Sequence, residues 1–147
     1  FEADLEAAIA ATGAMLAFDA IGGGRLAGQI LSAMERVAAK TGPYSRYGSS
    51  TMKQVYVYGG LDVGPTSFTR SFGLSWGIGG WLLTPFLQKL GGPGVMRLRQ
   101  RVAAEITTTF ASAYSTRLSF DQMLDPAQAQ AYAKKATGQK ALVLPWG

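Results

Sequence analysis

The sequence predicts an α/β fold built around a parallel sheet, and three observations carry that prediction. First, two short and mostly apolar runs, "AMLAFDAI" (14–21) and "QVYVYGG" (54–60), have the character of strands buried inside a sheet. Second, the segment between them, from Arg25 to about Val37, places Leu26, Ile30, Met34 and Val37 in helical register. Strand, helix and strand at this spacing form a βαβ unit, which closes right-handed and gathers its loops at one sheet edge. Third, 147 residues with 48% hydrophobic content suffice for one domain with a core.

The remaining elements follow in order. "ADLEAAIAATG" puts Leu5, Ala8, Ile9 and Thr12 on one face, a short amphipathic helix stopped by Gly13. "AKTGPYSRYGSSTMK" is a loop rich in Gly, Ser and Tyr, in which Tyr44 and Tyr47 could cover a substrate or be ordinary exposed tyrosines. Ser71 to Gln88 carries no charge over 18 positions, a length that invites a membrane reading. Four glycines, a proline near its end and the lack of a second such span favour a strand followed by a short helix from about Thr84. "GVMRLRQRVAAEI" is helical, with Leu98, Val102 and Ile106 on one face. "TTTFASAYSTRLSF" alternates at Phe110, Tyr114, Leu118 and Phe120 and is expected to be largely extended. Asp125-Pro126 caps and starts a last helix, which Gly138 ends, and "KALVLP" is a final strand.

Composition narrows the chemistry. There is no cysteine and no histidine, so disulfides, thiolate catalysis, the usual zinc ligands and the commonest general base are all excluded from this chain. Any metal site would have to be all-oxygen. A reducing cytoplasmic setting is the plain expectation. The chain opens at Phe1 with Glu2, Asp4 and Glu6 and no basic-then-apolar leader, so a secretory signal is not expected and the chain reads as a piece of something longer. The net charge is +5, and Arg36 to Arg101 holds nine basic residues against one acid, Asp62. A basic middle can draw phosphates or nucleic acid, but a solvated face is the favoured reading, since Arg97, Arg99 and Arg101 spread over more than one side of their helix.

Gly22-x-Gly24-x-x-Ala27 fits the G-x-G-x-x-A form of the dinucleotide-binding fingerprint. A true pyrophosphate loop should be followed, some twenty residues on, by an acid at the tip of the second strand. The stretch "RVAAKTGPYSRYGSS" (36–50) has no acid, and none stands at the tip of "QVYVYGG" until Asp62. A helix also precedes "AMLAFDAI", which a first strand would not normally have. The turn is therefore expected to belong to a later crossing of the sheet.

Four motifs together resemble the coenzyme-binding domain of medium-chain dehydrogenases/reductases, in its quinone-oxidoreductase or alcohol-dehydrogenase-like form. "MLAFDAIGG" looks like the fourth strand, ending in Asp-x-x-Gly-Gly; "VYVYGG" looks like the fifth, and "GIGGWLL" like the sixth. "ATGQKALVLP" resembles the closing Thr-Gly-Lys-Val-Val-Leu segment, with Gln139 inserted before Lys140. The resemblance implies a partial Rossmann fold: strands four to six of a doubly wound parallel sheet with flanking helices. Residues 1–147 would then be the C-terminal part of the dinucleotide-binding domain, without its first strands and catalytic domain. It further implies an NAD(P)-dependent oxidoreductase acting on a quinone, enone or carbonyl, with NAD and NADP not distinguished and no zinc ligands in this chain.

On that resemblance, the nicotinamide side of the cofactor would meet Ala20, Ile21 and Gly22 after the fourth strand, Tyr58, Gly59 and Gly60 after the fifth, and Trp81 after the sixth. Gly59-Gly60 could equally be a tight exit turn. Trp76 is expected to pack in the core or at an interface, and Asp19 is expected to accept hydrogen bonds at its strand end rather than to act as a catalyst. No catalytic residue is assigned. The resemblance also implies a homodimer in which Leu74 to Leu83 pairs antiparallel with its copy, since that strand lacks the lysine that would protect a free edge. The fourth strand would be a bare apolar edge unless another chain or the rest of the parent covers it. The expected partners are thus a nicotinamide cofactor and a small-molecule substrate, not nucleic acid or membrane. Two other classes stay open: a non-enzymatic α/β binding module with a basic surface, and a membrane-associated protein built around Ser71 to Gln88.

Overall fold

The computed structural model describes residues 1–133 and 140–146. The expected helix end at Gly138 and the Thr137-Gly138-Gln139 part of the closing motif lie outside the described residues. The chain divides into two compact units, Phe1–Leu83 and Thr84–Gly147.

The first unit realises the βαβ expectation. Helix α1 (Glu2–Thr12) ends at Gly13, which adopts a left-handed conformation and donates its N–H to the Ile9 carbonyl. Strand β1 (Leu16–Asp19), helix α2 (Leu26–Thr41), strand β3 (Lys53–Val57) and strand β5 (Trp76–Gly80) follow. The three strands form one sheet in the order β1-β3-β5, and both pairings are parallel. Phe18 stands opposite Tyr56 and Asp19 opposite Val57. Between these elements, strands β2 (Gly22–Gly24) and β4 (Asp62–Thr66) make a separate two-stranded parallel ladder.

The core lies between α2 and one face of the sheet. Ile30, Leu31 and Met34 of α2 pack on Val55, with Ala17 and Ile78 completing the sheet side. Phe72 and Trp76 meet edge to face at 4.9 Å, so Trp76, partly buried, packs against the core. Helix α1 contributes Leu5 and Ile9, but its Ala8 and Thr12 are exposed, a narrower contact face than the periodicity suggested. Arg36 and Lys40 of α2 each approach Glu6 of α1 at 2.6 Å and tie the helices together.

One expectation fails in an informative way. The run ending at Asp19 was expected to be buried on both faces, yet Leu16 and Phe18 are about half exposed, at 51% and 52%. They point away from α2, and nothing in this unit covers that face.

At the other end of the strands, Lys53 is fully enclosed. Its ammonium donates to Glu35 Oε2 at 2.5 Å, to the Thr51 carbonyl at 2.9 Å and to Ser49 Oγ at 3.0 Å. Three donors meet three acceptors, which is the condition for burying an ammonium. Glu35 in turn accepts from the Ser49 N–H and hydroxyl, each at 2.7 Å. Burial opposes ionisation of Glu35, but the hydrogen bonds from Lys53 and Ser49 outweigh it and hold the carboxyl below its ordinary value.

In the second unit, α3 (Leu83–Ala104) is two helical segments broken at Gly91, whose backbone (φ 70°, ψ 173°) is not helical; Pro93 lies at the start of the second segment. The two helices expected from about Thr84 and from Gly94 are these segments. Leu98, Val102 and Ile106 do not form a buried face, being 40–57% exposed, and Ile106 lies past the helix end. "TTTFASAYSTRLSF" is mostly turn and irregular chain rather than extended. Only β6 (Thr116–Ser119) is a strand, and Phe120 opens the short helix α4 (Phe120–Met123). There Ser119 Oγ accepts from the Gln122 N–H and the Gln122 side chain accepts from the Ser119 N–H, a capping box that overrides the alternation. Helix α5 (Pro126–Ala133) starts as expected, with Asp125 Oδ1 accepting from Ala127 and Gln128. Strand β7 (Ala141–Leu144) pairs parallel with β6.

Replacing Lys53 with Met leaves the Glu35 carboxylate enclosed without its counter-charge. Urea unfolding of the full chain at pH 7 should show a loss of about 3–5 kcal/mol. Because the folded Glu35 titrates lower than the unfolded one, its contribution is intact above the ordinary value of 4.5 and is lost as pH falls through the lower folded value. The urea midpoint should hold level from pH 7 to pH 5 and drop below pH 4.5, with a shallower drop in Glu35→Gln.

Candidate functional site

In an open parallel sheet the strands' carboxyl ends are where a ligand can reach several crossovers at once. Here those ends are Asp19 to Gly22, Val57 to Gly60 and Gly80 to Trp81. The backbone keeps the tips in register beyond the strands, since Tyr58 N–H donates to the Asp19 carbonyl at 2.9 Å and Trp81 N–H to the Val57 carbonyl at 2.8 Å.

The residues at the tips separate into two groups. Ala20, Gly22 and Gly59 lie against one another: a Cβ on Gly59 would be driven into the Ala20 backbone, and one on Gly22 would stand 2.7 Å from the Gly59 carbonyl oxygen. Gly22 also has φ +86°, where a side chain is strained. These two glycines are therefore demanded by the close approach of the chain to itself. Gly60 differs, because a Cβ there would meet nothing within 4 Å. The fold does not require glycine at position 60, and the space beside it is open.

The second group is aromatic. Tyr58 and Trp81 come together through Phe18, with ring centroids 6.3 Å and 5.8 Å from it, and Tyr56 stacks obliquely on the same ring at 5.7 Å. By strand alternation Phe18, Tyr56, Tyr58 and Trp81 share the sheet face turned away from α2. Phe18 and Tyr56 were not among the residues singled out from the sequence. The signal lies in the alternation of Leu16 and Phe18 with Ala17 and Asp19, which an apolar run buried on both faces would mask.

Asp19 behaves as a structural acceptor at its strand end. Its Oδ1 accepts from Ile21 N–H at 2.7 Å and Gly22 N–H at 3.3 Å. Its Oδ2 is buried and has no hydrogen-bond partner among the described residues. Ile21 is 37% exposed, and its carbonyl accepts from Asp62 N–H at 2.9 Å. The glycine triplet expected to be a turn is instead the strand β2. Thr66 Oγ1 donates to the Gly22 carbonyl at 2.7 Å and Ser67 N–H to the Gly24 carbonyl at 2.9 Å. Its polar groups are thus engaged by the chain's own β4 segment. Among the described residues no group of three or more acidic side chains could hold a metal ion, and no helix is long and apolar enough to cross a membrane.

The parallel order β1-β3-β5 with flanking helices defines the class: an α/β chain with a partial Rossmann-like fold. No family model and no curated protein matches the sequence. Among solved structures, the chain is similar to a candidate NADPH:quinone reductase from Mesorhizobium loti, with 19% identity and a TM-score of 0.52. That similarity covers 99% of this chain and 37% of the other, so the chain spans little more than a third of its structural neighbour. At this identity the likeness is one of fold.

Gly59→Ala should cost at least about 2 kcal/mol, because backbone rather than a mobile side chain occupies the Cβ position. Gly60→Ala should change stability by no more than about 0.5 kcal/mol. Thermal or urea unfolding of the two variants checks this contrast; equal losses would mean that the tips do not interlock as described.

Proposed function

We propose that this chain is the trailing part of a dinucleotide-binding domain and presents the nicotinamide side of a cofactor site within an NAD(P)H-dependent oxidoreductase. The observation that carries the reading is the open space at Gly60 beside an aromatic surface, placed at the carboxyl ends of three parallel strands. A planar, weakly polar ring fits such a surface, and a backbone without a side chain lets it approach. The likeness over nearly the whole chain to a candidate NADPH:quinone reductase supports the same reading. Ala20, Ile21, Gly22, Tyr58, Gly59, Gly60 and Trp81 are the proposed contacts, with Gly22 and Gly59 shaping the floor and Gly60, Tyr58 and Trp81 offering surface. The bound cofactor would supply hydride chemistry towards a quinone, enone or carbonyl; this chain's residues would bind and orient its ring.

Several features of the proposal lie outside this chain's own tips. The first strands, the phosphate-gripping turn and the catalytic domain belong, on this reading, to the rest of a longer cytoplasmic protein. Strand β1 stands at the edge of its sheet, where a first strand would pair. Strand β5 is at the opposite edge, and we assign Leu74 to Leu83 to antiparallel pairing with a second copy. Leu74, 74% exposed, is the residue such pairing would shelter.

A second reading rests on the basic middle of the chain, where Arg36 to Arg101 holds nine basic residues against one acid. It would make the chain a binding module for an acidic partner, recognisable by binding that collapses as salt rises.

Saturation-transfer NMR with NADPH and NADH distinguishes the two. The nicotinamide protons should receive saturation from the full chain, with the adenine protons receiving much less. Gly60→Val, folded by circular dichroism, should lose that signal. Transfer centred on adenine, or none to either cofactor, would overturn the reading. The chain alone should show no quinone reduction above the uncatalysed rate. Sedimentation at micromolar concentration should give a dimer that Leu74→Lys, at an exposed position, dissociates.

A further inference from the structure

A second concave site lies in the first unit, away from the aromatic tips. It is a cavity of about 320 Å³ between α2 and the Ser67–Ser71 segment. We propose that it binds a phosphate monoester or a similar small oxyanion-bearing molecule, held by Arg25 and the hydroxyls of Ser32, Thr69 and Ser71. The proposal does not depend on the nicotinamide reading.

The two walls follow from sequence spacing. Arg25, Gln29, Ser32 and Arg36 are separated by four, three and four positions, so they form one stripe along α2. The facing wall is held close at Gly28, where a Cβ would stand 2.6 Å from Phe68 Cβ. Arg70 lies between Thr69 and Ser71 with φ 57°, an uncommon conformation for a residue with a side chain. Ser71 Oγ lies 3.2 Å from Thr69 Oγ1 and 3.0 Å from Ser32 Oγ.

A proton count shows what these hydroxyls can offer. Each carries one donor proton, and two hydrogen bonds link the three of them. At least one proton is therefore left over to donate elsewhere. The charges divide in the same way. Arg36 is committed to Glu6 at 2.6 Å, and Glu2 accepts from Gln29 Nε2 at 3.1 Å. The Arg25 guanidinium has no hydrogen bond or ion pair among the described residues. It is the uncommitted cation of the cavity, and Glu2 is the carboxylate on the lining that works against an anion. A guanidinium fork matches two oxygens of a phosphate, and a hydroxyl proton can meet a third. A cavity of this volume has room for the small organic body of an ester as well as its phosphate.

Isothermal titration of the full chain with inorganic phosphate and with glycerol phosphate, at fixed ionic strength, tests the site. Both should saturate, the ester more tightly. Arg25→Ala should weaken binding roughly tenfold or more. Glu2→Gln should tighten it roughly threefold, an effect that misfolding would not produce. Arg117→Ala, at an exposed position on β6, should leave it unchanged. The proposal fails if chloride at equal ionic strength reproduces the heat, if Arg25→Ala and Arg117→Ala weaken binding equally, or if Glu2→Gln does not tighten it.

Discussion

Lys53 begins the central strand with its ammonium shut away from water, and much of the first unit is arranged around that burial. An enclosed charge without partners would cost several kcal/mol, so the chain must bring Glu35, Ser49 and the Thr51 carbonyl to it. Glu35 belongs to α2, Ser49 to the loop that follows, and Lys53 to β3. One ion pair thereby fixes how the helix sits on the sheet and how the glycine-serine loop returns to it. The Lys53 N–H then donates to the Ser75 carbonyl at 3.1 Å, carrying the same anchor to the strand beyond. The anchored end lies opposite the strand tips. Rigidity at one end and open surface at the other is the division of labour that a sheet-tip site needs.

The fold was legible where periodicity and punctuation agreed. The βαβ unit, the stop at Gly13, the Asp125-Pro126 start and the two helices from about Thr84 and Gly94 all rest on local rules that the tertiary structure did not contradict. Reading failed where two local signals competed. Around Phe120 the alternation of large apolar residues argued for a strand, but the Ser119–Gln122 capping box had the stronger local geometry. Gly22–Gly24 looked like a turn because glycine is permissive, and its pairing with residues some forty positions away left no local trace.

The candidate site was legible in part. Its backbone elements, the glycines and Trp81, could be placed from motif order. Its aromatic surface could not, because whether Phe18 faces core or solvent depends on which face α2 covers. Nor could spelling alone separate a glycine the chain needs for itself from one it does not. Gly59 and Gly60 are adjacent and identical, yet one is wedged against the Ala20 backbone and the other faces open space. The Arg25 cavity was half legible: the stripe along α2 follows from spacing, but the facing wall is brought to it by tertiary contacts, Gly28 against Phe68 and Ser32 with Ser71.

Every strand ladder among the described residues is parallel. Neighbouring strands in such ladders cannot zip up from a tight hairpin; each must await the arrival of a distant segment. Strand β6 finds its mate only after α4 and α5 have been made, and β1 finds β3 only after the whole of α2. The entropy of closing those intervals is spent before any cross-strand contact repays it, so slow acquisition of the native state is built into this topology. Newly made chains would meanwhile expose strand edges carrying Leu16 and Phe18, which gives prompt assembly or chaperone shelter a physical purpose here.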